Sequence, residues 1–121
     1  MHIRLDIHDD QVAHVIFDRK DSSANLFDVD AMRELDANIK AISADTSIRG
    51  VVFQSAKERI FIAGADIKGF IGHNVTTDDL EHMAATGQQI FNKIAALAIP
   101  TVAAIHGACF GGGLEMCLAC D

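Results

Sequence analysis

The chain has 121 residues, half of them hydrophobic and 22% charged, with a formal net charge of −7. One domain with a real core fits that length, and a disordered tail does not. The acidic balance shows no basic patch for nucleic acid, and no apolar run nears the roughly 20 residues of a membrane span. The opening Met1-His2-Ile3-Arg4-Leu5-Asp6 is unlike a signal peptide, so the expected compartment is the cytoplasm.

In chain order, Ile3, Leu5 and Ile7 alternate with Arg4 and Asp6, and residues 12–17 are rich in strand formers. With Asp9-Asp10-Gln11 between them, they read as a β-hairpin. Residues 18–27 are polar and turn-rich. Val29, Met32, Leu35, Ile39 and Ile42 share one helical face behind Asp28, a suitable N-cap, which predicts a helix over 28–43. Arg49–Phe53 reads as a buried strand and Ser55–Arg59 as a loop. A brief strand over 61–66 breaks at Gly64, and a single helical turn over Ile67–Ile71 ends at Gly72-His73-Asn74. A second helix is expected over 77–96, capped by Thr77 or Asp78, with a stripe from Leu80 through Gly87 to Ile94. Thr101–Ile105 reads as a fully buried strand, 107–113 as a turn and 114–120 as a third helix. Strands alternating with crossover helices imply an α/β layered fold with a parallel sheet. The chain stops at Asp121 inside an apolar helical pattern, which reads as a fragment of a longer protein.

The informative stretch is HGACFGGGLE, residues 106–115. Consecutive glycines between a strand and a helix expose backbone N–H groups, and a helix start adds positive dipole character. Such a turn suits a negatively charged oxygen. The pattern lacks the lysine and hydroxyl of a phosphate loop and is not G-x-G-x-x-G, so a developing enolate or tetrahedral oxyanion is the other choice. Glu115 follows at once, placed for acid–base work. A tight packing turn, with Glu115 only favouring the helix dipole, is the plainer reading. The turn Ile62-Ala63-Gly64-Ala65-Asp66 also follows a strand, and ligand sites in α/β sheets gather at such ends.

FIAGADIKGF (61–70) followed by PTVAAIHGACFGGGLEMCLACD (100–121), with RGVVFQSAK (49–57) upstream, resembles the crotonase, or enoyl-CoA hydratase/isomerase, superfamily. The likeness covers nearly the whole chain. Its wording, with GQQ at 87–89, is similar to the hydratase domain that opens the large subunit of bacterial fatty-acid oxidation complexes. The resemblance implies a crotonase-like fold of stacked ββα layers, of which residues 1–121 are the N-terminal part, ahead of the C-terminal helices. It implies that the Ala65 and Gly112 N–H groups hold a thioester oxygen, that Glu115 is one of two catalytic carboxylates, and that the second lies beyond Asp121. Ala63, Gly64, Asp66, Ile67, Lys68 and Gly111 fall along the expected acyl-CoA path, Lys68 where CoA phosphates pass and Asp66 more as a brace of its turn.

The implied activity is hydration of the 2,3-double bond of enoyl-CoA thioesters in fatty-acid β-oxidation. An enoyl-CoA isomerase, another crotonase-type acyl-CoA enzyme, or an inactive acyl-CoA-binding fragment are the alternatives, and the fragment alone is expected to be inactive. No cofactor is implied, because CoA arrives with the substrate. Expected partners of the full-length protein are further copies, as trimer or hexamer, or a thiolase subunit.

Cys109, Cys117 and Cys120 with His106 form a weak zinc pattern. Buried, reduced, metal-free thiols in an apolar helix are the expected state. His106 is expected to position the Gly turn, and the other five histidines to lie on the surface. Lys57, Arg59 and Lys68 are the basic residues to watch for CoA phosphates.

Overall fold

A computed structural model describes residues 1–66 and 75–121 of the chain. The expected helical turn over Ile67–Ile71 and its end at Gly72-His73-Asn74 lie outside the described residues. Alternating apolar residues make the predicted hairpin: β1 (Ile3–Ile7) pairs antiparallel with β2 (Val12–Phe17), Ile3 opposite Phe17. Asp10 accepts the Val12 N–H at the turn. β2 then runs parallel to β4 (Gly50–Ser55), and β4 parallel to β7 (Thr101–Ala103), giving the order β1-β2-β4-β7. The helices α1 (Val29–Ala44) and α2 (Thr77–Ala95) lie in the connections between the parallel strands, as the crossover rule requires.

Two short parallel pairs stand beyond this sheet. β3 (Leu26–Phe27) pairs with β6 (Gly64–Ala65), and β5 (Ile60–Ile62) pairs with β8 (Ala108–Cys109). The helix α3 (Gly112–Leu118) follows β8. One core joins these layers. Leu35, Ile39 and Ile42 of α1 and Ile94 of α2 pack with Val15, Phe53, Phe61, Ile62 and Met116, all buried. Each such side chain contributes about 1.5–3 kcal/mol of apolar burial. Phe17 sits edge-on to both Phe27 and Phe61, with centroids 6.1 and 6.2 Å away.

Several expectations change in detail. The polar stretch 18–27 ends in a strand, β3, because Leu26 and Phe27 find a partner in β6. Val29 is exposed and Ala31 takes its place on the buried face of α1, where the Asp28 side chain accepts the Ala31 N–H. The cap of α2 is Thr76, not Thr77 or Asp78. Thr76 Oγ1 accepts the Asp79 N–H, and the Asp79 carboxylate accepts the Thr76 N–H. Only Ile90, Phe91 and Ile94 of the α2 stripe are buried, since its first half faces a cavity. The strand over 61–66 divides at Ala63, because β5 and β6 join different partners. The 107–113 turn contains β8, and α3 starts at Gly112, not Leu114.

The strand expected over 101–105 is shorter and not fully buried. Only Thr101 is buried, while Val102 is 54% and Ile105 49% exposed. β7 ends the order of the four-stranded sheet, so among the described residues its outer side meets no further strand. Ile7 is likewise exposed, at the turn end of the hairpin. Among the described residues, no helix is long and apolar enough to cross a membrane.

Candidate active site

The two glycine turns meet main chain to main chain. Gly64 has φ +120° and Gly111 φ +53°, conformations that L side chains rarely adopt. A Cβ on Gly111 would lie 3.7 Å from the Gly64 Cα, and one on Gly64 would lie 3.5 Å from the Phe110 carbonyl oxygen. The Phe110 N–H donates to the Ile62 carbonyl (3.0 Å), locking the second turn onto the strand before the first. Ala65 and Gly112 each follow one of the touching glycines. Gly112 opens α3, so its N–H has no acceptor within the helix, and Gly111 ahead of it has no side chain to cap it.

Ala65, Gly112 and Glu115 line one cavity of about 610 Å³ between β3, α1, α2 and α3. Its apolar wall includes Phe27, Met32, Leu80, Met83 and Phe91. Glu115 stands on the first turn of α3 with an exposed side chain, its own N–H donating to the Gly111 carbonyl (3.0 Å). Asp28 and Asp36 also line the cavity, but both are engaged. Arg19 donates to Asp28 (2.7 Å), and Lys93 and Lys40 each lie 2.7 Å from Asp36. Burial pushes the Asp28 carboxyl up, yet the Arg19 hydrogen bond and the Ala31 N–H outweigh it and hold the group below the usual aspartate value. Hydrogen bonds from Lys40 and Lys93 hold Asp36 low in the same way. Among the described residues, Glu115 is the carboxylate of the wall that no basic side chain pairs.

The remaining predicted residues are placed as follows. Ala63 donates its N–H to the Asn25 carbonyl (2.9 Å). Asp66 donates its N–H to the Phe27 carbonyl (3.0 Å), and its carboxylate lies 3.7 Å from the Arg19 guanidinium, so it braces the turn. Ile67 and Lys68 lie outside the described residues. Lys57 points to Asp18 (2.9 Å) and the Arg19 carbonyl (2.7 Å), a structural tie rather than a free cation. Arg59 is exposed, and its carbonyl accepts the Ala108 N–H. His106 Nε2 bonds the Lys57 carbonyl at 2.6 Å, fastening the strand end to the 56–59 loop. His14 bonds Gln54 and stacks on His8, and both His2 and His14 are half-buried rather than on the open surface.

The Cys109 and Cys117 sulfurs are 3.6 Å apart, and Cys120 faces the Met116 carbonyl. All three thiols are free, and each is half-buried rather than buried as expected, because they pack at the edge of the core and not inside it. Among the described residues, no three His, Cys, Asp or Glu side chains gather to hold a metal ion. Burial, reinforced by the Cys109 contact, pushes the Cys117 thiol up to about 12.

Sequence reasoning missed Asn25 and Arg19. Asn25 is buried, and its Nδ2 donates to the Phe61 carbonyl (2.8 Å), Ser55 Oγ (2.8 Å) and the Phe17 carbonyl (3.2 Å). Its Oδ1 accepts the Arg19 N–H at 2.9 Å. It ties the ends of β2, β4 and β5 together just before the Ala63–Ala65 turn. The available signal was an amide directly ahead of the apolar pair Leu26-Phe27.

The layered ββα architecture and paired glycine turns define a crotonase-type fold, and solved structures bear this out. An enoyl-CoA hydratase from Bacillus anthracis is 29% identical with a TM-score of 0.91, covering 100% of this chain and 46% of its own. An enoyl-CoA hydratase/carnithine racemase from Magnetospirillum magneticum is 30% identical with a TM-score of 0.89, covering 100% and 45%. An enoyl-CoA hydratase from Geobacillus kaustophilus is 27% identical with a TM-score of 0.91, covering 100% and 44%. The chain thus spans under half the length of these structures. The profile of the enoyl-CoA hydratase/isomerase family matches residues 8–121, and the chain belongs to that family.

Proposed function

We propose that the chain carries the thioester-polarising part of an enoyl-CoA hydratase site. The observation that carries this reading is the convergence of Ala65, Gly112 and Glu115 on one cavity, with the two turns in direct backbone contact. The Ala65 and Gly112 N–H groups receive the thioester oxygen. Withdrawing charge there makes the β-carbon electrophilic and stabilises the enolate that forms when water adds. Glu115 takes a proton from the water whose oxygen bonds to the β-carbon. A proton returned to the α-carbon completes a 3-hydroxyacyl thioester. Losing one such N–H donor costs about 10²–10³ in rate. No separate cofactor enters, because CoA is part of the substrate.

Acetoacetyl-CoA tests the polarising step. Bound between two N–H donors, it shifts toward its enolate, read by ultraviolet absorbance at fixed pH. Failure to bind ends the thioester reading. Turnover of crotonoyl-CoA against a 3-enoyl-CoA, in a full-length protein containing this chain, separates hydratase from isomerase. There, Glu115→Gln lowers kcat at least about 10²-fold with acyl-CoA binding retained. Near wild-type kcat would reduce Glu115 to a helix-start residue.

A further inference from the structure

Gly87 lies inside α2, where glycine is the least favourable residue after proline. Among the described residues no steric demand explains it: a Cβ at Gly87 meets only the Met32 Cε at 3.6 Å, an ordinary contact. Gly87 and Met32 both line the cavity that holds Ala65, Gly112 and Glu115. Along α2 the same wall runs from Phe91 to Leu80, about 16 Å at the helical rise. Leu80, half exposed, stands at the outer end of this wall. Met32 and Met83 add flexible side chains that fit chains of varied shape. The volume of about 610 Å³ is that of a site for a sizeable apolar ligand.

We propose that the α1–α2 wall seats the acyl tail and that Gly87 sets its length, the missing side chain admitting medium and longer acyl groups. This rests on the thioester reading above. Butyryl-CoA and decanoyl-CoA, saturated and unreactive, serve as probes of the chain in isothermal titration. Wild type binds decanoyl-CoA at least tenfold tighter than butyryl-CoA. Gly87→Leu removes that advantage, weakening decanoyl-CoA at least tenfold more than butyryl-CoA. Leucine favours helix, and circular dichroism confirms that the variant is folded. Adding Met32→Ala to Gly87→Leu reopens the wall and restores decanoyl-CoA binding. If Gly87→Leu weakens both thioesters equally, or neither, the assignment of Gly87 is overturned. If wild type binds neither thioester, the thioester reading itself fails.

Discussion

Replacing Asn25 by alanine removes four polar contacts, three of them shared between the two Nδ2 protons, from a residue that is 2% exposed. A hydrogen bond contributes about 0.5–1.5 kcal/mol net, and a buried partner left unpaired costs about 1–3 kcal/mol. The Phe17 carbonyl keeps the Ala56 N–H, and Ser55 Oγ keeps its bonds to Ile60 and Lys57, so those partners are not orphaned. The Phe61 carbonyl and the Arg19 N–H carry most of the loss. Together with a small cavity, the expected destabilisation is about 3 kcal/mol, a large part of a typical total of about 5–15 kcal/mol. Urea unfolding followed by circular dichroism reads it as a lower midpoint at unchanged slope. Asn25→Asp at neutral pH is worse than Asn25→Ala, because a carboxylate oxygen then faces the Phe17 and Phe61 carbonyls. A loss under about 0.5 kcal/mol for Asn25→Ala, or Asn25→Asp more stable than Asn25→Ala, refutes the role given to this amide.

Asp28 predicts an acid-side loss of stability. Its folded pKa is depressed, so its contribution is present above the ordinary aspartate value and disappears as pH falls through the folded one. Melting temperatures between pH 7 and pH 3 fall less steeply for Asp28→Asn than for wild type, though the variant starts lower. Gly113→Ala places a Cβ 2.6 Å from the Ile62 Cβ, and costs about 1–3 kcal/mol in the same urea assay. Cys117, with its thiol pushed up to about 12, stays unmodified by iodoacetamide at pH 8 in the folded chain and reacts in urea. Peptide mapping by mass spectrometry reads the difference, and rapid native labelling contradicts the raised Cys117 thiol.

Elements with strong local signals were legible in the chain. The spacing of Leu35, Ile39 and Ile42 and the Asp28 cap define α1 within a residue, and the hairpin follows from alternation alone. The two glycine turns could be singled out because each bares backbone at the end of a strand, although a tight packing turn fits either one alone. Less legible was whatever depends on distant partners. β3 is two residues long, and only β6, far along the chain, makes it a strand. The division of β5 from β6 needs the same tertiary knowledge. Val102 and Ile105 read as core because the pattern records apolar character, not which face of a sheet is covered. Asn25 was hidden because an amide in a polar stretch looks like solvent-facing loop, and only its four polar contacts reveal otherwise. Lys57 shows the converse: a cation that looks available in sequence is spent on Asp18 and a carbonyl.

The contact of the Gly64 and Gly111 turns through bare main chain has an evolutionary consequence. The N–H groups proposed as donors, on Ala65 and Gly112, belong to the polypeptide backbone, and most substitutions nearby cannot delete them. Mutation reaches this anchor chiefly by putting a Cβ on a glycine whose positive φ other residues rarely adopt. Side chains around it are free to drift while the two turns keep their course. A chain can therefore keep the architecture with a TM-score of 0.91 at 29% identity, because what must persist is a path of the backbone rather than a set of side chains.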